Sequence, residues 1–100
     1  MKKVQIVYAV IASEKNLFFE ELWASVYSFR LYEPNREIRV LCDKPTYGYI
    51  TKFTEFVKLV DEIVVVEVSN TSNLRFRSKE IKTNIRQHVK GPYLFVDTDT

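Results

Sequence analysis

Four apolar runs, separated by segments with helical spacing, constrain the fold of this chain more than any other feature. The runs occupy residues 4–12, 37–43, 62–68 and 93–96. The first is rich in β-branched residues and nearly all apolar, which is typical of a strand covered on both faces. Ile63 to Val66 are likewise apolar in succession. We therefore predict four strands, buried in the middle of the molecule.

The three segments between these runs repeat apolar residues at the spacing of an amphipathic helix. Residues 17–32 form the first segment, Pro45 opens the second, and the third runs from Leu74 to a stop at Gly91-Pro92. In the first segment Phe18, Leu22, Val26 and Phe29 lie along one face, and in the second Ile50, Phe53 and Val57 recur at helical spacing. In the third segment we expect Leu74, Ile81, Ile85 and Val89 to face inward.

This alternation predicts an α/β fold with a mostly parallel sheet, right-handed crossovers and helices on both faces. We predict the strand order 3-2-1-4, the first half of a Rossmann-like domain. In such sheets ligands bind beyond the carboxyl ends of the strands, where the strand order reverses. Residues 12–14 and 97–100 follow the first and fourth strands, so both segments are expected to border one crevice.

Composition excludes several classes of function. The formal net charge of +2 argues against a dedicated nucleic-acid binder. The longest apolar stretch, residues 4–12, is far shorter than the ~20 residues of a membrane helix. The lone Cys42 cannot form an internal disulfide and is best interpreted as a small buried hydrophobe; it fits a reducing compartment, so we expect a cytoplasmic protein.

Two aspartates separated by a single residue lie in the last four positions of the sequence. Asp97 and Asp99 follow the apolar run 93–96, at the predicted ligand edge of the sheet. Carboxylate oxygens suit Mg²⁺ or Mn²⁺, and such a cation can bridge the oxygens of a diphosphate. The alternative interpretation is a solvated strand end with turn-forming residues. The position after a buried fourth strand favours the metal site.

The motif from Tyr93 to Thr100, together with the helix before it (residues 78–86), resembles the aspartate-any-aspartate motif of GT-A fold glycosyltransferases. The nearest branch is the glycogenin and bacterial galactosyltransferase type. The resemblance covers the whole chain as strand and helix order and is specific over residues 78–100. It implies metal-dependent transfer of a glycosyl group from a nucleotide sugar, expected to be UDP-linked, to an unknown acceptor. It also implies that Asp97 and Asp99 hold Mn²⁺ or Mg²⁺.

The resemblance further implies a set of nucleotide-binding residues, none of which is a nucleophile or general base. Lys82 stands where the family more often has Arg. Lysine keeps the positive charge but lacks the planar guanidinium group, which can donate two parallel hydrogen bonds to a phosphate. The segment 9–13 would line the base pocket, and residues of the third helix would meet the diphosphate or ribose. The predicted nucleotide-binding residues are Ala9, Val10, Ser13, Arg75, Ser78 and Lys82.

Asp43 ends the second predicted strand. In dinucleotide-binding folds an acidic residue there can hold a ribose, but no Gly-rich turn follows the first strand. A role in the turn is the alternative for Asp43.

The family's complete domain is more than twice as long as this chain. We therefore expect residues 1–100 to be the amino-terminal nucleotide-sugar-binding half of one glycosyltransferase domain, truncated after the motif and inactive alone. Apolar surface or an unpaired strand edge would then favour self-association. A clean monomer in sedimentation would contradict that expectation.

Two other functions fit parts of the pattern. One is a non-catalytic nucleotide-binding or interaction module with the same α/β order. The other is a haloacid-dehalogenase-like phosphotransferase, in which the first Asp of a similar motif is the nucleophile beside Mg²⁺. That motif usually lies in the first strand of its domain, whereas here it follows the fourth.

Overall fold

The computed structural model describes residues 4–12, 17–67, 74–83 and 85–96, with the backbone alone for residues 74–78 and His88. Strands and helices alternate as the sequence predicts. The strands are β1 (Gln5–Val10), β2 (Ile38–Cys42), β3 (Glu62–Val65) and β4 (Tyr93–Val96). The helices are α1 (Phe18–Tyr32), α2 (Lys44–Ile50), α3 (Thr54–Val57), α4 (Leu74–Thr83) and α5 (Ile85–His88).

The four strands form one parallel sheet in the order β3-β2-β1-β4, which confirms the predicted strand order. β1 is central: Val10 lies opposite Cys42 of β2, and Tyr8 lies opposite Val96 of β4. The chain moves outward from β1 to β3 and then crosses back to β4. Because crossovers are right-handed, this reversal places the last helices on the opposite face from the first three.

Two hydrophobic clusters cover the two faces of the sheet, and this arrangement confirms helices on both faces. One cluster contains buried residues of α1, α2 and α3; the other contains Ile81, Ile85 and Val89 from the α4–α5 region. Successive residues of β1 enter opposite clusters, which is why this strand is nearly all apolar. Burying each Val or Ile side chain of β1 stabilises the fold by roughly 1.5–3 kcal/mol.

Helix α1 packs its predicted face against the sheet and buries one further residue, Phe19. Phe19, rather than Phe18, is fully buried together with Leu22 and Val26. The Phe19 ring lies 5.0 Å, centroid to centroid, from the rings of Phe53 and Phe56. These contacts between aromatic rings place Phe19 in the core beside the predicted face.

The second helical segment is two short helices rather than one. α2 ends at Ile50 and α3 begins at Thr54, with Phe53 as its N-cap residue. Both Ile50 and Phe56 are fully buried in the same cluster. Each short helix thus buries one large apolar side chain in this cluster, whereas Val57 is 37% exposed.

β3 and β4 are the outer strands of the sheet. Leu94 of β4 is 57% exposed and Val65 of β3 is 42% exposed, so each outer strand carries accessible apolar surface. Self-association through these strands stays a prediction. Among the described residues, no helix is long and apolar enough to cross a membrane.

Candidate functional site

The carboxyl ends of β1 and β4 lie side by side, at the point where the strand order reverses. β1 is hydrogen-bonded to β2 on one side and to β4 on the other. The segments that follow β1 and β4 therefore start at the same edge of the sheet, which is where parallel α/β sheets bind ligands. This juxtaposition is the geometric basis of the candidate site.

The two predicted metal ligands, Asp97 and Asp99, lie outside the described residues, immediately after β4. Their carboxylate oxygens are the donor type that Mg²⁺ and Mn²⁺ prefer. Within the described part of the chain, no three His, Cys, Asp or Glu side chains group closely enough to hold a metal ion. A metal site at Asp97 and Asp99 stays a prediction.

Ala9 and Val10, two of the predicted base-binding residues, have buried side chains that face opposite ways. Ala9 lies in the cluster under α4 and α5, and Val10 lies in the cluster under α1, α2 and α3. Both residues are buried as whole residues and both pair with β2. Ser13, the third predicted residue of this segment, lies outside the described residues.

A buried threonine links the end of β1 to the start of α2. The backbone N–H of Ala12 donates to Thr46 Oγ1 (3.0 Å), and the Thr46 hydroxyl donates to the carbonyl oxygen of Ala12 (3.3 Å). The Thr46 side chain is fully buried. The Thr46 hydroxyl thus pairs with both the N–H and the C=O of Ala12, which lies beyond the last residue pair of β1 and β2.

Asp43 fixes this threonine from the other side. The backbone N–H of Thr46 donates to Asp43 Oδ1 (3.1 Å), so Asp43 is the N-cap residue of α2. Asp43 is buried, and this capping bond accounts for the turn role that the sequence left open beside ribose binding. Ribose contact by Asp43 stays a prediction.

Thr46 was not singled out by sequence reasoning, although a signal was present. The string Asp43-Lys44-Pro45-Thr46 combines a favoured N-cap residue with a proline in the first turn, which is a helix-start pattern. The pattern predicts the capping bond. It does not predict that the threonine hydroxyl contacts Ala12, because that contact spans 34 residues of sequence.

Lys82 lies over the strand that leads to the acidic motif. Its Nζ is 5.9 Å from the centroid of the Phe95 ring in β4, within the range of a cation–π contact. Its neighbour Ile81 is fully buried and anchors this turn of α4 against the sheet. Phe95 precedes Asp97 by two residues. The other predicted phosphate-binding side chains, those of Arg75 and Ser78, lie outside the described part of the structure.

Two buried titratable groups near the ends of β1 and β2 remain neutral at physiological pH. Burial raises the pKa of Tyr8, and the hydrogen bond with Ser25 lowers it by less. Burial also raises the pKa of the Cys42 thiol to about 12. Neither group is poised as a nucleophile or general base, because each would have to ionise in an apolar environment.

No family model, curated protein or solved structure matches this chain. The motif and the geometry of the chain itself therefore carry the functional proposal.

Proposed function

We propose that this chain binds the donor nucleotide of a metal-dependent GT-A type glycosyltransferase. The observation that supports the proposal best is the pairing of β4 with β1. It makes the strand that precedes the two aspartates a direct neighbour of the strand that precedes the predicted base-binding segment. A single nucleoside diphosphate would contact one segment with its base and the other, through the metal, with its diphosphate, so the two segments must lie close together.

In this proposal Asp97 and Asp99 hold Mn²⁺ or Mg²⁺. The cation, when bound, neutralises the negative charge that grows on the departing diphosphate. Lys82 contributes a second positive charge near the same strand end, with Arg75 or Ser78 as further phosphate or ribose partners. The position of Lys82 over Phe95 supports this role, since it places a positive charge beside the strand that leads to Asp97.

The segment 9–13 would line the base pocket, with Ala9, Val10 and Ser13 as the predicted residues. Ala9 and Val10 are buried as whole residues within β1, so their part would be to form the wall of the pocket. The glycosyl donor is proposed to be UDP-linked, and the acceptor is unknown. We place the reaction in the cytoplasm because the lone, buried Cys42 fits a reducing compartment.

Titration calorimetry of the 100-residue chain with UDP, with and without Mn²⁺, tests the proposal. We expect UDP to bind in the presence of Mn²⁺ and this binding to weaken by at least about a hundredfold in Asp97→Asn and in Asp99→Asn, because an amide cannot replace a charged ligand. Glu55→Gln is the matched control: it removes an exposed carboxylate on α3, distant in sequence from the motif, and is expected to bind as the parent chain does.

Three outcomes would contradict the proposal. Binding of UDP that does not require Mn²⁺ would favour a non-catalytic nucleotide-binding module. Absence of UDP binding would remove the donor site altogether. Phosphatase activity that disappears in Asp97→Asn would favour the haloacid-dehalogenase-like alternative, in which that residue is the nucleophile.

A further inference from the structure

We propose that α1 docks a second copy of this chain, through a row of exposed residues on the side of the helix that faces away from the sheet. The two copies are related by a two-fold axis, with their α1 helices antiparallel and Ala24 of each copy at the axis. This inference does not rest on the proposed function. It places self-association on α1 rather than on the outer strands β3 and β4.

The outer side of α1 carries aligned apolar side chains that are open to solvent. Leu17 is 69% exposed, Tyr27 54% and Leu31 70%. The inner side of the same helix already buries residues such as Leu22 and Val26 in the core. A helix that is apolar on two opposite sides is typical of one that packs on both of them. Exposed apolar residues that line up in this way mark an interaction surface.

The exposed residues on this side follow one another at alternating intervals of three and four, which is the spacing of the contact seam in a coiled coil. The outer row of α1, as we name it, consists of Leu17, Glu20, Ala24, Tyr27 and Leu31, all of them exposed. The carbonyl oxygen of Leu17 accepts the backbone N–H of Glu21 (3.1 Å), so the helical geometry extends to the start of the row. At ~1.5 Å per residue the row is about 21 Å long, enough for a helix–helix contact.

The apolar ends of the outer row match each other when two copies run antiparallel. Leu17 lies seven residues before Ala24, and Leu31 lies seven residues after it. With Ala24 at the two-fold axis, Leu17 of each copy therefore contacts Leu31 of the other. Both contacts bury apolar surface that is exposed in the single chain. The small side chain of Ala24 lets the two helices approach closely between them.

Polar residues on either side of Ala24 also match in this arrangement. Glu20 and Ser28 lie four residues before and after it, and Glu21 and Tyr27 lie three residues before and after it. Each acidic residue of one copy therefore faces a hydroxyl of the other. A hydroxyl donates to a carboxylate, so the contact pairs both kinds of polar group. The surface is complementary to itself, as a two-fold interface requires.

Charge selects the antiparallel orientation over the parallel one. In a parallel pair, Glu20 and Glu21 would lie against the same two carboxylates of the second copy, and like charges across an interface repel. In the antiparallel pair the two Glu20 residues lie about 12 Å apart along the helix axis, because eight residues separate position 20 from the facing position 28. The acidic residues thus favour a closed antiparallel dimer.

Sedimentation velocity of the 100-residue chain over a wide range of concentrations tests the inference. We expect a reversible monomer–dimer equilibrium in the micromolar range, because a contact through one helix is smaller than the roughly 800 Å² per partner of a standard interface. A parent chain that stays monomeric at about 1 mM, which corresponds to negligible affinity, overturns the inference. The outer row would then have to serve a different protein.

Two matched substitutions separate α1 from the outer strands. Leu31→Glu changes the outer row, and Leu94→Glu makes the same change on β4, where Leu94 is 57% exposed. Both side chains are exposed, so neither change removes core packing, and circular dichroism checks that each variant is folded. Leu31→Glu should raise the dissociation constant at least about tenfold, because it buries an unpaired carboxylate against Leu17. Leu94→Glu should leave it unchanged. A loss of association in Leu94→Glu, or none in Leu31→Glu, overturns the inference.

Disulfide crosslinking under mild oxidation tests the position of the two-fold axis. Ala24→Cys places two thiols at the axis, close enough to form a disulfide between copies. Glu20→Cys is the matched control, since it lies in the same row but about 12 Å from its counterpart along the axis. The native Cys42 is buried and does not compete. We expect Ala24→Cys to crosslink much faster. Crosslinking of Glu20→Cys at the same rate or faster overturns the antiparallel arrangement.

Discussion

The two ends of the sheet are held by different kinds of contact. At the amino ends, polar side chains link β1, β2, β3 and the segment before β4 in one row: Gln5 Nε2 donates to the carbonyl oxygen of Lys90, and Arg39 donates to Gln5 Oε1 and to Glu62 Oε1. These bonds measure 2.6, 2.6 and 2.9 Å. The row joins the segment before β4 to β1, β2 and β3 in turn.

Arg30 of α1 forms further hydrogen bonds at the amino end of the sheet. Its Nε and one terminal nitrogen donate to the carbonyl oxygen of Leu59 (3.0 and 2.9 Å), and that nitrogen also donates to Asp61 Oδ2 (3.1 Å). Asp61 Oδ2 in turn accepts the backbone N–H of Ile38 at the start of β2 (2.7 Å). The guanidinium thus ties the end of α1 to the starts of β2 and β3.

At the carboxyl ends, the described contacts are fewer and serve another purpose. Thr46 joins the end of β1 to the end of β2, and Lys82 lies over β4. The segments that carry Ser13, Asp97 and Asp99 follow the strands here. The difference teaches that the charged groups described at the amino end bind one another, whereas the residues proposed to bind a nucleotide and its metal follow the strands at the carboxyl end.

The largest expected effect tests whether solvent is excluded from Cys42 at the carboxyl end of β2. Burial raises the pKa of Cys42 from 9.0 to about 12, so its thiolate fraction near pH 8 should be about a thousandfold lower than in the unfolded chain. We expect alkylation by iodoacetamide to be slower by about that factor in the native chain than in urea. Equal alkylation rates in the native chain and in urea would mean that solvent reaches Cys42, and would contradict a buried carboxyl end of β2.

The same raised pKa has a consequence for stability at alkaline pH. Below about pH 9 the thiol keeps its proton in both states, so Cys42 adds no pH dependence. Between pH 9 and about 12 the unfolded chain releases this proton while the folded chain retains it. The contribution of Cys42 to the free energy of unfolding therefore falls as pH rises through that range.

The next effect concerns stability at the amino end. Arg30→Met should lower the free energy of unfolding by about 2–3 kcal/mol, because several carbonyl oxygens and Asp61 lose a charged donor whose side chain is 18% exposed. Lys58→Met is the control, since Lys58 forms an exposed ion pair with Glu55 and should change stability by less than about 0.5 kcal/mol. Urea denaturation measures both.

The Arg30 variant also sharpens the comparison between the two ends. If Arg30 stabilises the fold and has no role at the site, the folded variant should bind UDP with Mn²⁺ as the parent chain does. A large loss of nucleotide affinity in folded Arg30→Met would show that the two ends are coupled.

The smallest expected effect compares one lysine near each end. Lys82→Met should weaken binding of UDP with Mn²⁺ roughly tenfold, equivalent to about 1.4 kcal/mol. Lys82→Arg should preserve or tighten binding, because a guanidinium can contact a phosphate with two donors. Lys90→Met, at the amino end, should leave affinity unchanged. Equal losses for Lys82→Met and Lys90→Met would point to a diffuse effect of net charge instead.

Much of the fold was predictable because the governing patterns are local. The apolar runs and helical spacings identify four strands and their connecting helices, and the right-handed rule then limits the topology. The strand order 3-2-1-4, predicted as that of the first half of a Rossmann-like domain, is confirmed. The motif at Asp97 and Asp99 was visible for the same reason, since it is contiguous with its strand.

Other features could not be predicted, because their partners are distant in sequence. Phe19 became the buried residue of α1 through contacts with rings of the α2–α3 region. Nothing in the local sequence around Arg30 indicates that its guanidinium reaches Leu59 and Asp61.

The amino-acid sequence by itself determined the order and type of the elements, because hydrophobic periodicity and turn residues act over a few neighbours. The tertiary structure alone decided which polar groups meet: Gln5 reaches the carbonyl oxygen of Lys90 across 85 residues, and Thr46 reaches Ala12 across 34. A hydrogen bond requires its two atoms to be about 3 Å apart, and packing of the whole sheet and its helices brings such distant groups within that distance.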